Sequence, residues 1–175
     1  MSVSTIEEIL DPVVFPSFEE LADTEYSRAI GLARSLLGDR EAAVDVAQEA
    51  LLRAYREWDR VQRLQRPGAW VRRVVLNLCS DQLRRRSRKL TLLNRLTGQR
   101  QATVDASDSA LPDAQLWAAV RELPSRARSV VALRFVLDLS ISEIADDLGC
   151  PEGTVKSDLS RALAKLRGTL SRRDS

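Results

Sequence analysis

The stretch from Ser140 to Leu166, SISEIADDLGCPEGTVKSDLSRALAKL, constrains the fold more than any other part of the chain. Ser140 and Glu143, three residues apart, form a capping box, in which each satisfies an orphan N–H of the other at a helix start. Ile141, Ile144, Ala145 and Leu148 then make one apolar stripe at helical spacing. Gly149 ends that helix, because it takes left-handed backbone angles without a Cβ penalty. Pro151 blocks continuation and suits the first turn of a second helix. In that second helix Val155, Leu159, Ala162, Leu163 and Leu166 face a core, with Thr154, Lys156, Ser157, Ser160 and Arg161 opposite. Short hydroxyls and long cations are the side chains that meet phosphates and base edges. The segment therefore reads as a helix-turn-helix whose second helix can enter a major groove. An ordinary αα-hairpin with a solvated polar face is the alternative.

Composition agrees with an all-α chain. With 175 residues, one or two small domains fit, and aromatics at 5% argue against a β-sandwich or barrel. No apolar run approaches the roughly 20 residues of a membrane span. The start, MSVSTIEEILDP, has acids and no basic n-region, so no signal peptide and a cytoplasmic protein are expected. The two cysteines, Cys79 and Cys150, have no histidine beside them, since the chain contains none. That makes a poor zinc site, and both read as small buried hydrophobes. The missing histidine also removes the commonest general base and every Ser-His or Cys-His pair. No catalytic residue, metal or cofactor is expected.

The net charge of +2 hides an asymmetry. Residues 1–59 hold 13 acids against 5 bases, whereas residues 60–100 hold 12 bases against Asp81 alone. A basic segment beside an acidic one is a footprint for nucleic acid plus a second, protein partner. The bland alternative is that the arginines only solubilise a helix end.

Punctuation divides the chain. Residues 1–16 read as a loose arm. One helix is expected from Phe18 to Leu37, ending at Gly38. Asp39 caps another, running to about Trp58, with Ala43, Ala47, Ala50, Leu51, Ala54, Tyr55 and Trp58 as its core stripe. A short basic loop, Asp59–Gln65, precedes a third helix from Ala69 to about Arg88. In it Trp70, Val71, Val74, Val75, Leu78 and Leu83 bury one side. The polar run TGQRQATVDASDSALP, 97–112, reads as a flexible acidic linker. Helices 113–123 and 125–137 then lead into the helix-turn-helix. The domains are set at 17–94 and 113–172, joined by a linker over 95–112.

Three segments in this order resemble one family. Asp45-Val46-Ala47-Gln48-Glu49-Ala50-Leu51-Leu52-Arg53-Ala54-Tyr55 looks like a DxxQExxLRxY helix. Trp70-Val71-Arg72-Arg73, then Asn77-Leu78, Asp81 and Leu83-Arg84-Arg85 look like a WLxRIAxNLxxDxLRR helix. Leu123-Pro124, Arg128, Val130, Leu133-Arg134, Ser140, Glu143-Ile144-Ala145, Leu148-Gly149 and Gly153-Thr154-Val155-Lys156-Ser157 look like that family's helix-turn-helix domain. These are motifs of the extracytoplasmic-function (ECF) group of bacterial RNA polymerase sigma factors, in the sigma-70 family. Asp138 stands where the family usually has Gly, Ala47 where it has a bulkier residue, and Cys150 in the helix-turn-helix turn.

The resemblance implies a sigma-2-like bundle and a sigma-4-like helix-turn-helix domain. It also implies a non-enzymatic sigma factor that binds core RNA polymerase, at its β′ clamp helices and β flap, and directs promoter-specific initiation. Asp45, Gln48, Glu49 and Arg53 would meet the polymerase; a solvated helix face is the alternative. Arg63, Arg66, Trp70, Arg73, Asn77, Arg84 and Arg85 would read the −10 element, with Arg72 and Arg86 also tracking phosphates. Trp70 could be core packing alone, and Asn77 could satisfy a backbone group. Thr154, Lys156, Ser157, Ser160 and Arg161 would read the −35 element. The linker around Asp105, Asp108 and Asp113 would run toward the polymerase active centre. Location would be cytoplasmic, nucleoid-associated on polymerase, without membrane contact. An anti-sigma factor is a further partner of the family to which no residue here points. With the chain ending soon after the helix-turn-helix, no extra C-terminal domain is expected. The rival is a stand-alone helix-turn-helix regulator, for which the DxxQE helix has no purpose. A nucleic-acid enzyme would need a catalytic cluster that the sequence does not show.

Overall fold

A computed structural model describes residues 17–97 and 114–173, all helices and turns. The expected N-terminal arm, the linker acids Asp105, Asp108 and Asp113, and residues 174–175 lie outside the described residues. Helix α1, Phe18–Leu37, starts where the Ser17 hydroxyl accepts from the Glu20 N–H at 3.3 Å. It stops at Gly38, whose φ of 69° turns the chain into α2, Arg40–Arg56. Asp39 caps α2 by accepting from the Ala42 N–H at 3.0 Å. Alanines 29, 33, 43, 47, 50 and 54 are all buried, which lets α1 and α2 pack closely.

Three local expectations change. The basic loop begins with a single turn, α3, Trp58–Val61, which buries Val61. Tyr55, expected on the core stripe of α2, is 62% exposed and stands edge-on to Phe18 at 5.1 Å. The third helix, α4, runs from Pro67 to Thr97, 31 residues rather than about 20. Proline suits its first turn, and from Arg84 onward the chain offers Leu, Arg and Lys without a breaker until Gly98. Its end, Arg95–Thr97, thus lies inside the stretch expected to be linker.

The second domain holds α5 (Ala114–Arg121), α6 (Ser125–Val136), α7 (Ile141–Leu148) and α8 (Glu152–Arg173). The capping box forms as expected: Glu143 N–H donates to Ser140 Oγ at 3.2 Å, and Ser140 N–H donates to Glu143 Oε2 at 2.8 Å. Gly149, with φ 62°, closes α7, and Cys150 N–H reaches Ala145 O at 2.9 Å. Val155, Ala162 and Leu166 are buried while Leu159 and Leu163 are half-buried, so the expected face of α8 is the packed one.

The domains do not stand apart. One continuous core runs from Leu21, Leu32 and Val75 into Leu133, Ile144 and Val155. A second, smaller core of Ala119, Val120, Leu123, Val131, Ala162 and Leu166 belongs to the second domain alone. Helix α4 touches α7, and α1 touches both α5 and α6.

Asp138, between α6 and α7, has φ 52°, a left-handed conformation in which L-residues are strained. Its pair with Arg134, at 3.6 Å, is 96% exposed on the aspartate side and offsets little. Asp138→Gly should raise stability by up to about 1 kcal/mol, and Asp138→Val should lower it by about 1–2 kcal/mol. Thermal unfolding of the three proteins checks the order.

Candidate nucleic-acid and partner interfaces

On α2, positions 45, 48, 49, 52 and 53 fall on one side at helical spacing. Asp45 and Gln48 are exposed, and Glu49 is half-buried and pairs with Arg53 at 2.7 Å. The exposed Leu52 lies among them, at 41%, giving this acidic, amide-bearing face an apolar centre. Leu52 was not among the expected contacts, although its spacing from Gln48 and Glu49 places it there.

The basic face of α4 is the surprise. Arg72, expected to track phosphates, is 5% exposed and closed in by carboxylates. Its Nε and Nη2 donate to Asp147 of α7 at 2.5 and 3.1 Å, and its Nη1 to Glu25 of α1 at 3.4 Å. Asp147 and Glu25 are themselves buried. Burial works to lower the Arg72 pKa; the Asp147 bond and the charges of Asp147, Glu25 and Glu143 outweigh it, and the pKa stands above its ordinary value. Gly68 makes the close approach possible, since a Cβ there would fall 2.5 Å from Glu25 Oε1.

Two neighbours of Arg72 join it. Arg73 donates to the carbonyls of Asp146 and Asp147, both at 2.9 Å, capping the negative end of α7. Arg66 reaches Asp146 at 2.9 Å and Glu143 at 3.3 Å. Burial tends to raise the Glu143 pKa, but hydrogen bonds from Ser140 and the charges of Arg66 and Arg72 outweigh it and leave it lowered. Asn77 lines a cleft of about 400 Å³ between α4 and the second domain, opposite Ser125 and Arg126. Trp70 is half-buried against the core. Arg63 and Arg85 are exposed, and Arg84 pairs with Asp81 at 2.5 Å. Arg86 turns back to Leu37 O at 3.4 Å and Asp39 at 3.7 Å.

On α8, Lys156, Ser157, Ser160 and Arg161 are exposed and Thr154 is half-buried. Lys156 pairs with Glu152 at 3.3 Å, and Ser157 Oγ donates to Thr154 O at 2.9 Å. Asp158, which sequence reasoning passed over, accepts from Arg161 of its own helix and Arg126 of α6, both at 2.8 Å. It pins α8 to α6.

The profile of Sigma-70 region 2 matches residues 21–89, and that of Sigma-70, region 4 matches residues 113–166. The RNA polymerase sigma-E factor of Streptomyces avermitilis is 37% identical over 158 residues, 90% of this chain and 87% of that protein. The chain belongs to the sigma-70 family of RNA polymerase sigma factors, in the ECF group. The ECF RNA polymerase sigma factor SigW of Bacillus subtilis is 28% identical over 166 residues, 88% of this chain and 89% of that one. The fold matches a chain in the co-crystal structure of the sigma factor RpoE with the anti-sigma factor NepR from Bartonella quintana. That match has a TM-score of 0.68 and 24% identity and covers 88% of this chain and 96% of that one.

In this sigma factor the region 2 match holds α2 and the basic face of α4, and the region 4 match holds the helix-turn-helix. Cys79 is buried, and burial pushes its thiol up to about 12 despite the nearby Arg128 and Arg86. It packs as an apolar residue, as expected; Cys150 is only half-buried against the core. Among the described residues no helix is long and apolar enough to cross a membrane.

Asp158→Ala removes two charged hydrogen bonds whose cationic ends are half-exposed or more. It should destabilise the chain by about 1–2 kcal/mol, with Asp158→Asn between it and the parent. Urea unfolding measures the difference.

Proposed function

We propose that this sigma factor binds core RNA polymerase and directs it to promoters, with region 2 and region 4 dividing the work. The observation that carries the proposal is the presence, in one chain, of three surfaces of different chemistry. They are the Asp45–Arg53 face of α2, the arginine- and amide-bearing face of α4, and the hydroxyl- and cation-bearing face of α8.

Asp45, Gln48, Glu49 and Arg53 meet the β′ clamp helices, and the exposed Leu52 supplies apolar contact among them. A carboxylate and amide set suits a partner helix that carries arginines. Arg63, Arg66, Arg73, Arg84 and Arg85 hold the phosphates of the opened −10 strand. Asn77 offers both donor and acceptor to an unstacked base, and Trp70 shapes the wall beside it. Thr154, Lys156, Ser157, Ser160 and Arg161 read the −35 element, where each good bidentate base contact is worth about 1–3 kcal/mol of discrimination. The β flap meets the second domain, and an anti-sigma factor is a further partner. The first domain then extends from 17 to the end of α4 at Thr97 rather than to 94, and the second spans 113–172. The protein acts in the cytoplasm, on the nucleoid when bound to polymerase. A stand-alone regulator would leave the α2 face without a use.

Purified chain, core enzyme and promoter DNA should assemble and initiate at a defined start site; absence of core binding sinks the proposal. Gln48→Ala with Glu49→Lys should weaken core binding at least about tenfold, equivalent to about 1.4 kcal/mol, with the helical spectrum unchanged. Core affinity equal to the parent's would remove the clamp assignment. Lys156→Ala with Arg161→Ala should abolish footprinting protection of −35 DNA while core binding persists. Intact protection would overturn that set.

A further inference from the structure

Asp158 stands at a boundary on α8. Val155 and Ala162 beside it are buried in the core, whereas Ser157 and Arg161 are exposed. Its carboxylate is 12% exposed and reaches both ways. Oδ2 accepts from Nε of Arg126 on α6, and Oδ1 accepts from Nη2 of Arg161 one turn along α8, both at 2.8 Å. The Arg161 side chain is 73% exposed, yet it is held at two points. Its Nε donates to Ser157 O at 3.2 Å and its Nη2 to Asp158. One edge of the guanidinium is thereby turned to its own helix. Nη1 keeps both its donors, with no partner among the described residues.

A carboxylate on a helix that approaches DNA is repelled by phosphates within a Debye length of about 8 Å. Asp158 escapes most of that repulsion, because two guanidiniums and one carboxylate leave a net positive group. What the carboxylate supplies is direction. A free arginine side chain spreads over many rotamers, and ordering it on binding costs affinity. Two bonds to its own helix leave Arg161 fewer, and the carboxylate is itself fixed by burial and by Arg126. Guanine presents O6 and N7 side by side in the major groove, and a guanidinium meets that pair with two parallel bonds. The match depends on angle, so an arginine held in one plane discriminates guanine better than a swinging one. The neighbouring groups suit this task less. Lys156 is a point charge paired with Glu152 at 3.3 Å, and Ser157 Oγ already donates to Thr154 O at 2.9 Å.

We propose that Asp158 is a positioning residue, which holds Arg161 for bidentate bonding to one guanine of the −35 element while Arg126 anchors the carboxylate from α6. This rests on the assignment of the α8 face to −35 DNA. The two functions open to an acid at this place differ in sign. An Asp158 that acted on DNA only through its charge would weaken binding to every sequence alike, and its removal would tighten them all. An Asp158 that positions Arg161 strengthens binding to the guanine-bearing site alone. Its removal then weakens that site and leaves other sequences unchanged or slightly tighter.

Holoenzyme assembled from the full-length chain and core RNA polymerase is offered a pool of duplex DNA with randomised sequence, and the bound duplexes are sequenced. The parent should select a guanine at a position where Arg161→Ala shows no preference, which marks the base that Arg161 reads. There Asp158→Ala should reduce the preference for guanine about five- to tenfold, with the preferences at other positions retained. Asp158→Asn, whose amide oxygen still accepts from Arg161, should fall between the two. Replacing that guanine by 7-deazaguanine, which lacks the N7 acceptor, should weaken the parent and leave Asp158→Ala nearly unaffected. Asp158→Ala added to Arg161→Ala should lower stability to urea further, through the lost Arg126 bond, yet select the same sequences as Arg161→Ala alone. A merely structural aspartate would not separate those two readouts. A guanine preference undiminished in Asp158→Ala, or tighter binding to all sequences, overturns the proposal. If the alanine variant does not fold, the asparagine variant decides, and a preference equal to the parent's overturns it. A parent holoenzyme that selects no sequence would instead strike the assignment of α8 to −35 DNA.

Discussion

The arrangement of this molecule depends on one buried arginine. Arg72 extends from the first turns of α4 into a site closed by Glu25 of α1 and Asp147 of α7. A guanidinium out of water is tolerated only where anions and good hydrogen-bond geometry surround it, and removing one partner of such a set costs about 3–5 kcal/mol. The site therefore ties three helices from two domains into one orientation. Around it the weaker contacts fall into register: Arg73 on the end of α7, Arg66 on its exposed acids, and the continuous core from Leu21 to Val155.

Charge is distributed to match. The acids of α2 lie on a face away from α4, while the α7 acids lie on the basic face itself. Asp158 serves a third purpose, fixing α8 against α6 by bonds to cations on both. The same residue types thus line an outward face of α2, close the molecule on itself, and hold α8 in place. Neighbours and burial decide which role each carboxylate has, since an ion pair excluded from solvent is directional where an exposed one is not.

Much of the fold was legible from local chemistry. Ser17, Asp39 and Ser140 cap helices because their oxygens accept orphan N–H groups, and Gly38 and Gly149 end them in left-handed conformations. The stripe of α8 was legible because period 3.6 leaves one side apolar. The errors were also local. Tyr55 has an aromatic body that fits a core pattern but finds its partner at the surface, on Phe18. The end of α4 was placed short because hydrophobic spacing fades after Leu83, whereas helix propensity does not.

The interface set divides the same way. The α2 face and the α8 face could be listed in advance, because a helix alone determines which of its residues lie together. The fate of Arg72 could not be. Its neighbours Arg73, Arg84 and Arg85 look alike in a sequence, and the acids that distinguish it stand 47 and 75 residues away. The sequence by itself determined the helices, their caps, the two regions and the kind of surface each presents, because these follow from spacing within a few turns. Only the tertiary structure decided that α7 packs on the first turns of α4 and buries Arg72, while Arg84 and Arg85 stay exposed. That outcome turns on desolvated charges finding partners across the fold, which no local pattern encodes.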